Sequence, residues 1–269
     1  MGVERGPKLL LVGCGKMGGA MLEGWLARGL AASDAIVAEP VEALRPNKPG
    51  LRSVGSSQDV RETPEIVVLA VKPQSMDAVL PDLKRFADKA VFLSIAAGKT
   101  LKYFASHLGA SAKIVRSMPN TPAAVRQGIT VACASSGVSA AEKKRCQELL
   151  EAVGQALWVE DEALLDPVTA LSGSGPAYVF LLVEAMAAAG ARLGLTPEMA
   201  MQLARATVAG SGELLRQSSE PASQLRVNVT SPGGTTAEAL KVLMAADGIQ
   251  PVFDKALAAA SRRSKELAG

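Results

Sequence analysis

Six residues near the start of the chain have the spacing of a phosphate-binding turn. Gly13-Cys14-Gly15-Lys16-Met17-Gly18 matches G-x-G-x-x-G, with an apolar segment before it and a helical pattern after it. Gly13 would permit the tight turn, Gly15 would let a pyrophosphate approach the backbone, and Gly18 would let helix and strand pack closely. This context favours dinucleotide binding over a plain strand-to-helix turn.

Glu39 follows the second predicted strand, at the place of a ribose-reading residue. A carboxylate there accepts hydrogen bonds from the 2′-hydroxyl and repels a 2′-phosphate, which favours NADH over NADPH. Arg45, Lys48 and Arg52 follow closely and could instead neutralise a 2′-phosphate. A solvated glutamate beside Pro40 is the alternative. The preference for NADH is therefore slight.

Other cofactor-binding candidates stand where predicted strands end, because such loops line the ligand crevice of a parallel sheet. They are Ala70-Val71-Lys72-Pro73, Ala96-Ala97 before Gly98, and Asn120 in the stiff Met118–Pro122 loop. Ser57 is a further cofactor-binding candidate that follows no predicted strand. Lys72 would touch ribose or phosphate, or be an ordinary exposed lysine. Asn120 would hydrogen-bond the nicotinamide side or a loop backbone, with an Asx turn as the alternative.

A second hydroxyl-rich and glycine-rich segment lies far along the chain. Ser231-Pro232-Gly233-Gly234-Thr235-Thr236 directly precedes a helical pattern that starts at Ala237. Glycines before a helix expose backbone N–H groups, and the hydroxyls beside them suit a small carboxylate without a buried arginine. The alternative is a helix N-cap with a flexible approach loop, and the residues alone leave both interpretations open.

Composition excludes several other chemistries. The net charge is +3, with no basic run and 3% aromatic residues, which argues against nucleic acid as a partner. Cys14, Cys133 and Cys146 are too widely spaced for a disulfide framework or a zinc site, so no metal is expected. His107 is the single histidine, and nothing near it supports a catalytic triad.

The termini and the apolar stretches indicate the compartment. Met1–Lys8 shows no signal-peptide pattern. The longest apolar stretch, Pro176–Leu195, is interrupted by Glu184 and Arg192, so a buried helix explains it better than a membrane span. We expect a cytoplasmic protein without a membrane partner.

Strand-like and helical segments alternate up to about residue 161. The predicted strands are Lys8–Val12, Ala35–Ala38, Ile66–Val71, Val91–Ile95, Lys113–Ser117, Ile129–Cys133 and Ala156–Val159, and helices are predicted at Lys16–Arg28 and near 75–86, 100–108 and 139–152. This alternation predicts βαβ units and a mostly parallel, doubly wound α/β sheet of the Rossmann type. Residues 1–160 are therefore predicted to form the dinucleotide-binding domain.

Residues 161–269 are predicted to be all-helical. Asp166-Pro167 indicates a helix start, and Leu171–Pro176 indicates a break before a long helix over Pro176–Arg192. Further helices are expected from Thr196 to about Arg216, near Thr235 and near Pro251.

The Pro176–Arg192 helix is apolar on nearly all sides. A domain of this size would struggle to cover it, so we expect the helical half to form a homodimer. A central helix surrounded by its own domain is the alternative.

Four blocks in this order make the chain resemble the pyrroline-5-carboxylate reductase family along nearly its full length. They are Gly13–Gly18, Met118-Pro-Asn-Thr-Pro122, Leu171-Ser-Gly-Ser-Gly-Pro-Ala-Tyr178 and Ser231-Pro-Gly-Gly-Thr-Thr236. The resemblance implies a Rossmann domain joined to a helical dimerisation domain, with dimers that many members assemble into decamers. It also implies reduction of 1-pyrroline-5-carboxylate to L-proline with NADPH or NADH.

The resemblance further implies roles for individual residues. Ser231 and the Gly234–Thr235 backbone would hold the substrate carboxylate, and Thr236 would hydrogen-bond the ring nitrogen as the catalytic residue. Asn228 would lie near the cofactor and Glu162 near the substrate, although a slip of one position would exchange Glu162 with Asp161. The family varies at Glu39, so cofactor choice is not inherited.

Rival functions remain open. A hydroxyacid dehydrogenase would need a catalytic lysine on the long helix, and Pro176–Arg192 contains none. A reductase of another cyclic imine and a non-catalytic dinucleotide sensor are the remaining alternatives. The source of the proton for the imine nitrogen is also open, because a threonine hydroxyl is a poor acid.

Overall fold

The computed structural model describes residues 8–268, and the first part of this range forms an eight-stranded sheet. The strands are β1 Leu9–Val12, β2 Ala35–Ala38, β3 Arg52–Val54, β4 Ile66–Leu69, β5 Val91–Ser94, β6 Lys113–Met118, β7 Gly128–Ala134 and β8 Gly154–Trp158. The helices between them are α1 Lys16–Ala27, α2 Met76–Leu83, α3 Leu101–Leu108 and α4 Ala140–Glu151. The alternation predicted from the sequence is confirmed.

The strand order is β3-β2-β1-β4-β5-β6-β7-β8. All neighbouring pairs are parallel except β6 and β7, which are antiparallel. A parallel pair needs a crossover of about a dozen residues or more, and the short connection 119–127 is too brief for one. The predicted doubly wound α/β domain with a mostly parallel sheet is confirmed.

Both faces of the sheet are covered. Leu9 and Leu11 of β1 pack into one buried cluster with Met21 and Trp25 of α1. Leu10 and Val12 point the other way, into a second cluster that also contains α2 and α3 residues. Burial of both alternating sets explains why β1, β4 and β5 read as continuous apolar runs rather than as alternating patterns.

Two short elements do not follow from the sequence pattern. β3 has three residues, pairs along one side with β2, and begins with the exposed Arg52, so it lacks an apolar run. The helix α8, Ala222–Asn228, has seven residues and no buried side chain. β3 forms because β2 supplies its hydrogen-bond partners, and nothing in the sequence pattern marks either element.

The segment before the long helix differs from the prediction. A 3₁₀ turn over Glu162–Leu164 leads into α5 Leu165–Val168, a π-helical turn at Thr169–Gly173, and then α6 Gly175–Arg192. The predicted break at Leu171–Pro176 is narrower than expected: it falls at Ser174, between the π turn and α6, while Leu171–Gly173 is helical. The Thr169 and Ser172 hydroxyls donate to the carbonyls four residues earlier, at 2.7 and 3.1 Å. Such bonds satisfy carbonyls that the wider π turn leaves without their usual N–H partners.

The N-cap predicted at Asp166 is wrong, because α5 already begins at Leu165. Asp161 caps the segment instead, with its Oδ1 accepting the Ala163 N–H at 2.9 Å. Asp166 lies inside α5, where its Oδ1 accepts the hydroxyl of the buried Ser264 at 2.7 Å. The Asp-Pro pair looks like a cap in sequence, but this carboxylate pairs with a residue near the other end of the chain.

By compactness the chain divides into two units. The first holds the described residues 8–173 and 260–268, and the second is Ser174–Ala259. Residues 162–173 belong with the sheet because Leu165 packs against Val131 and Cys133 of β7. The predicted domain boundary at 160/161 lies just after β8, and the compact sheet unit continues past it to residue 173. The division into a dinucleotide-binding domain and a substrate-binding domain at this boundary stays a prediction.

The second unit consists of helices. α6 packs on α7 Pro197–Gln217, followed by α8, α9 Thr235–Leu243 and most of α10 Ile249–Ala268. Its buried cluster is made of Ala187, Ala200 and Ala204. The large apolar side chains of α6 are exposed on the single chain: Val179, Phe180, Leu181, Leu182 and Met186. The all-helical prediction for this half is confirmed, and these side chains need a cover that one chain does not supply.

Candidate active site

The cofactor candidates lie together at one edge of the sheet. Gly13 follows β1, Glu39 follows β2, and Ala70 follows β4, while Ala96 and Asn120 come after β5 and β6. These five strands run parallel, so their carboxyl ends meet at the same edge. Ser57 follows β3 at that edge and is buried. This is where nucleotides bind in open α/β sheets.

The glycine-rich turn has the geometry of a diphosphate cradle. Gly13 has φ +92°, and a Cβ there would lie 2.8 Å from the Ala70 carbonyl oxygen. A Cβ on Gly18 would collide with the Gly13 carbonyl oxygen. At Gly15 a Cβ would meet nothing within 4 Å, so the turn is open on that side. Gly13 and Gly18 permit packing, and Gly15 leaves room for a ligand.

The first turn of α1 is free to bind an anion. Gly15 is its N-cap and provides no side-chain acceptor for the N–H groups of the helix. Unsatisfied donors and the helix dipole at this end attract phosphate. The exposed Lys16 begins the helix and adds a positive charge. The residues present therefore fit the diphosphate of a nicotinamide dinucleotide.

Glu39 is not a solvated glutamate, so that alternative is wrong. Its side chain is buried, with 5% of the residue exposed. Oε2 accepts the Cys14 N–H at 2.7 Å, and Oε1 accepts the Val41 N–H at 2.9 Å. The carboxylate thus ties the end of β2 to the glycine-rich turn. Its role towards the ribose stays a prediction.

The three basic side chains near Glu39 have different interaction partners. Lys48 pairs with Glu23 at 2.9 Å, and Arg52 pairs with Glu62. Arg45 donates from Nε to the Glu39 carbonyl at 2.7 Å and from Nη2 to the Pro40 carbonyl at 3.1 Å. Of the three cations that could neutralise a 2′-phosphate, two are thus occupied by carboxylates.

The cysteine in the turn is not set up as a nucleophile. Burial raises the pKa of the Cys14 thiol, and the nearby Glu39 carboxylate raises it further. Burial likewise raises the pKa of Cys146 to about 12. Both therefore stay protonated at neutral pH, since the thiolate is the reactive form.

The strand-end loops carry the remaining cofactor candidates. β4 ends at Leu69, two residues earlier than predicted, and the exposed Lys72 precedes a short 3₁₀ turn over Pro73–Ser75. Ala96 is buried and Ala97 is exposed. Asn120 uses its Oδ1 to accept the Ile129 N–H at 3.0 Å, which joins the loop to β7. This oxygen therefore bonds a backbone N–H, as one of the predicted alternatives for Asn120 has it, and the Asx turn is not formed.

Glu162 lies in the sheet unit. Its Oε1 accepts from Arg116 Nη1 at 2.7 Å and from the Leu101 N–H at 2.8 Å. Arg116 was not predicted as part of the site, although an arginine inside the otherwise buried strand β6 is a signal that a carboxylate must lie nearby. Contact between Glu162 and substrate stays a prediction.

The candidate carboxylate-binding loop lies in the helical unit. Gly233 has φ +68°, which favours glycine, and the Gly234 N–H donates to the Ser231 carbonyl at 3.0 Å. Gly234 is the N-cap of α9 and carries no side-chain acceptor. The N–H groups that begin α9 are thus not capped by a side chain, next to the hydroxyls of Thr235 and Thr236. This geometry suits a small carboxylate.

Asn228 ends α8 in the same unit. Its Nδ2 donates to Glu220 Oε2 at 3.1 Å, and its Oδ1 accepts from Gln224 Nε2 at 2.7 Å. Glu220 was missed from the sequence, where it reads as an ordinary acidic residue before Pro221. The amide predicted to lie near the cofactor is therefore oriented by two neighbours on its own segment.

Comparison with known proteins identifies the family. Residues 8–98 match the family described as NADP oxidoreductase, coenzyme F420-dependent, and residues 162–267 match pyrroline-5-carboxylate reductase dimerisation. A pyrroline-5-carboxylate reductase of Pseudomonas aeruginosa is 41% identical over 97% of both chains. The chain belongs to the pyrroline-5-carboxylate reductase family. The resemblance noted in the sequence is confirmed.

Solved structures agree with this assignment. A pyrroline-5-carboxylate reductase from Coxiella burnetii superposes with TM-score 0.90 at 34% identity and covers 98% of this chain and 100% of its own. The Plasmodium falciparum enzyme, solved with NADP bound, gives TM-score 0.83 at 30% identity and covers 100% of both chains. The Rossmann domain followed by a helical domain is therefore the architecture of this family.

The dimerisation match accounts for the exposed apolar helices. It spans 162–267, which includes all of α6 to α9. Within the described residues, the helical run Glu162–Arg192 is also long and apolar enough to cross a membrane by length and composition. The exposed Phe180 and Leu181 of this run lie within the dimerisation match. Because this half matches a dimerisation domain, the predicted homodimer through the helical half is confirmed.

We expect Gly15→Ala to weaken dinucleotide binding without harming the fold. The new methyl group has no protein neighbour within 4 Å, and Gly15 has φ −68°, which alanine adopts freely. The methyl group would occupy the open side of the cradle, so the Kd for NADH or NADPH should rise about tenfold or more. Nicotinamide fluorescence measures the Kd.

Gly19→Ala is the matched control. Its Cβ would make only an ordinary contact, 3.7 Å from the Cys14 carbonyl oxygen, inside α1. It should leave the Kd unchanged. A Gly15→Ala protein that binds as tightly as wild type would remove the turn from the cofactor site.

Proposed function

We propose that this chain reduces 1-pyrroline-5-carboxylate to L-proline with NAD(P)H. The observation that carries the proposal is the full-length similarity to pyrroline-5-carboxylate reductases, 41% identity over 97% of the chain. The open Gly15 cradle and the uncapped start of α9 support it, since they supply one anion site for a dinucleotide and one for a small carboxylate.

Binding of the substrate carboxylate is assigned to the loop before α9. Ser231 offers a hydroxyl, and the Gly234–Thr235 backbone offers N–H groups at a helix N-terminus. Such donors hold an anion without a buried arginine. The bound carboxylate would fix the orientation of the ring, which is the main source of acceleration when reacting atoms must be aligned.

Thr236 is assigned to the imine nitrogen. It lies in the first turn of α9 and is partly exposed. Its hydroxyl can donate a hydrogen bond to the nitrogen, or relay a proton from water, but it is too weak an acid to be the sole proton source. Protonation of the nitrogen before the reaction would give an iminium ion, which is the better hydride acceptor.

The dinucleotide is assigned to the carboxyl edge of the sheet. Gly13, Gly15, Lys16, Met17 and Gly18 would hold its diphosphate, and Glu39 and Ser57 would lie towards its adenosine ribose. Residues 70–73, Ala96, Ala97 and Asn120 would line the crevice. Asn228 is assigned to the cofactor as well, from the family resemblance. When bound, the reduced nicotinamide supplies the hydride to the imine carbon.

The proposal includes NADH as the preferred cofactor. Glu39 presents a buried carboxylate at the end of β2, where a 2′-phosphate would be repelled. Arg45 is the neighbouring cation that would favour NADPH, and its Nε and Nη2 already donate to main-chain carbonyls. Cytoplasmic location, which was expected from the sequence pattern, and assembly of dimers into decamers, which the family resemblance implies, are further parts of the proposal.

The direct test is oxidation of NADH and of NADPH, followed by absorbance, with 1-pyrroline-5-carboxylate as substrate. We expect turnover with both cofactors and a higher kcat/KM with NADH. Other cyclic imines serve as comparison substrates and should react more slowly. A flat trace with both cofactors would overturn the enzyme assignment in favour of a dinucleotide sensor, and faster turnover of another imine would change the substrate.

Thr236→Val and Ser231→Ala should separate the two roles in the loop. A hydrogen bond to a charged group contributes about 1.5–3 kcal/mol, so Thr236→Val should lower kcat about 10- to 100-fold. Ser231→Ala should mainly raise the KM for the imine, about tenfold. Steady-state kinetics at saturating cofactor measures both.

Thr230→Val is the control for these variants. Its hydroxyl donates to the Arg226 carbonyl at 2.6 Å, so it should leave the kinetics unchanged. Binding of NADH should be the same in all variants of this loop. Unaltered kcat in Thr236→Val would take Thr236 out of the mechanism, and an unaltered KM in Ser231→Ala would contradict its contact with the carboxylate.

Glu39→Gln should move the cofactor preference towards NADPH. The amide oxygen can still accept the Cys14 N–H, while the charge that repels a 2′-phosphate is removed. The ratio of kcat/KM for NADH to that for NADPH should fall about tenfold, equivalent to about 1.4 kcal/mol. The exposed Glu42 gives the control variant Glu42→Gln. An unchanged ratio in Glu39→Gln would show that this carboxylate does not choose the cofactor.

A further inference from the structure

Arg116 is a buried charge in the middle of the sheet. It lies in β6, and its side chain is 7% exposed. A buried guanidinium is costly unless a counter-charge satisfies it. Glu162 Oε1 provides this at 2.7 Å, from a residue that follows the last strand.

The same carboxylate oxygen also holds the start of α3. The Leu101 N–H donates to Glu162 Oε1 at 2.8 Å. Leu101 is the first residue of α3, so its N–H is one of the donors that a helix leaves without an internal partner. A negative charge at this end is favourable for the helix dipole. Glu162 therefore connects a buried cation to a helix N-terminus.

The segment held in this way is the β5–α3 loop, residues 95–100. At its other end, the buried Ser94 accepts the Ser117 hydroxyl on its carbonyl at 2.9 Å, and its own hydroxyl accepts the Ala96 N–H at 3.2 Å. In the middle, the last turn of α10 lies against Gly98, where a Cβ would be 3.0 Å from the Leu267 carbonyl oxygen. The loop is thus fixed at both ends and covered at Gly98.

This loop carries Ala96 and Ala97, two of the residues assigned to the nicotinamide crevice. We propose that Arg116 and Glu162 form a charged clamp on Leu101 that positions the β5–α3 loop for hydride transfer, and that Glu162 is a positioning residue rather than a ligand of the substrate. The inference rests on the proposed function, because it assigns the loop to the nicotinamide. It replaces the substrate contact that the family resemblance implied for Glu162.

The clamp accounts for the geometry better than a substrate contact does. One Glu162 oxygen already serves two donors inside the sheet unit, and its side chain is 28% exposed. Leu101 packs against the cluster of Val131, Cys133 and Leu165, so the N–H it donates comes from a fixed position. A small displacement of a positioned group lowers hydride transfer more than it lowers binding of the substrate.

The test compares four variants with the wild-type dimer. Glu162→Ala removes the clamp, and Glu162→Gln keeps an oxygen for Leu101 and a hydrogen-bond partner for Arg116. The double variant R116M/E162M removes the clamp without leaving a buried unpaired charge, a replacement that folds well in other proteins. Glu160→Ala is the matched control, because Glu160 is a highly exposed carboxylate two residues away that pairs with Lys143.

Steady-state kinetics gives the first readout. Glu162→Ala and R116M/E162M should lower kcat at least about tenfold while the KM for 1-pyrroline-5-carboxylate stays within about twofold. Glu162→Gln should retain kcat within about threefold, and Glu160→Ala should match wild type. The double variant should melt close to the wild-type Tm, so that a lower kcat in it reports lost positioning and not lost folding. If Glu162→Ala is unstable, the kcat of the double variant alone tests the clamp.

Fluorescence of bound NADH gives a readout that needs no turnover. At saturating NADH, the double variant should show a nicotinamide emission different from that of wild type and of Glu162→Gln, because the ring is less well held. Three results would overturn the clamp: a raised KM for the imine with kcat intact, wild-type kcat in the double variant, or emission identical to wild type. Lack of turnover in wild type overturns the proposed function instead, and the emission then still decides the clamp.

Discussion

The close approach of backbone segments at the first turn is the constraint on which the cofactor edge depends. Gly13 lies against the Ala70 carbonyl and Gly18 against the Gly13 carbonyl, at separations that leave no room for a Cβ. β1, β4 and the start of α1 can therefore meet only with glycine at these two positions. The third glycine, Gly15, faces open space, which separates its role from packing.

Two carboxylates then hold loops in place at the sheet edge that the glycines allow to form. Glu39 joins the end of β2 to the Cys14 N–H, and Glu162 joins Arg116 of β6 to the start of α3. Each carboxylate is held largely within the sheet unit and accepts main-chain N–H groups, so each fixes a loop and not only a side chain. Loops at the end of a parallel sheet have no ladder of their own, and these hydrogen bonds hold them in place.

The helical half has a small buried cluster and a large exposed apolar surface. Its own buried cluster of three alanines is small, while α6 exposes large apolar side chains such as Phe180 and Leu181. Exposed apolar area of this kind is stabilised by association, and the dimerisation match over 162–267 identifies the association. The π-helical turn at Thr169–Gly173 opens this segment, with its hydroxyls bonded to carbonyls of the preceding turn.

The sequence by itself determined the alternation of strands and helices, the glycine-rich turn and the family, because apolar periodicity and motif spacing are local. It also placed Glu39 and the loop residues at strand ends, since parallel strands bring those ends together. Only the tertiary structure decided that Glu39 is buried, that Asp166 bonds Ser264 instead of capping a helix, and that Arg116 and Leu101 share the Glu162 carboxylate. These partners are tens of residues apart in the chain, and no local pattern encodes which distant donor a carboxylate will meet.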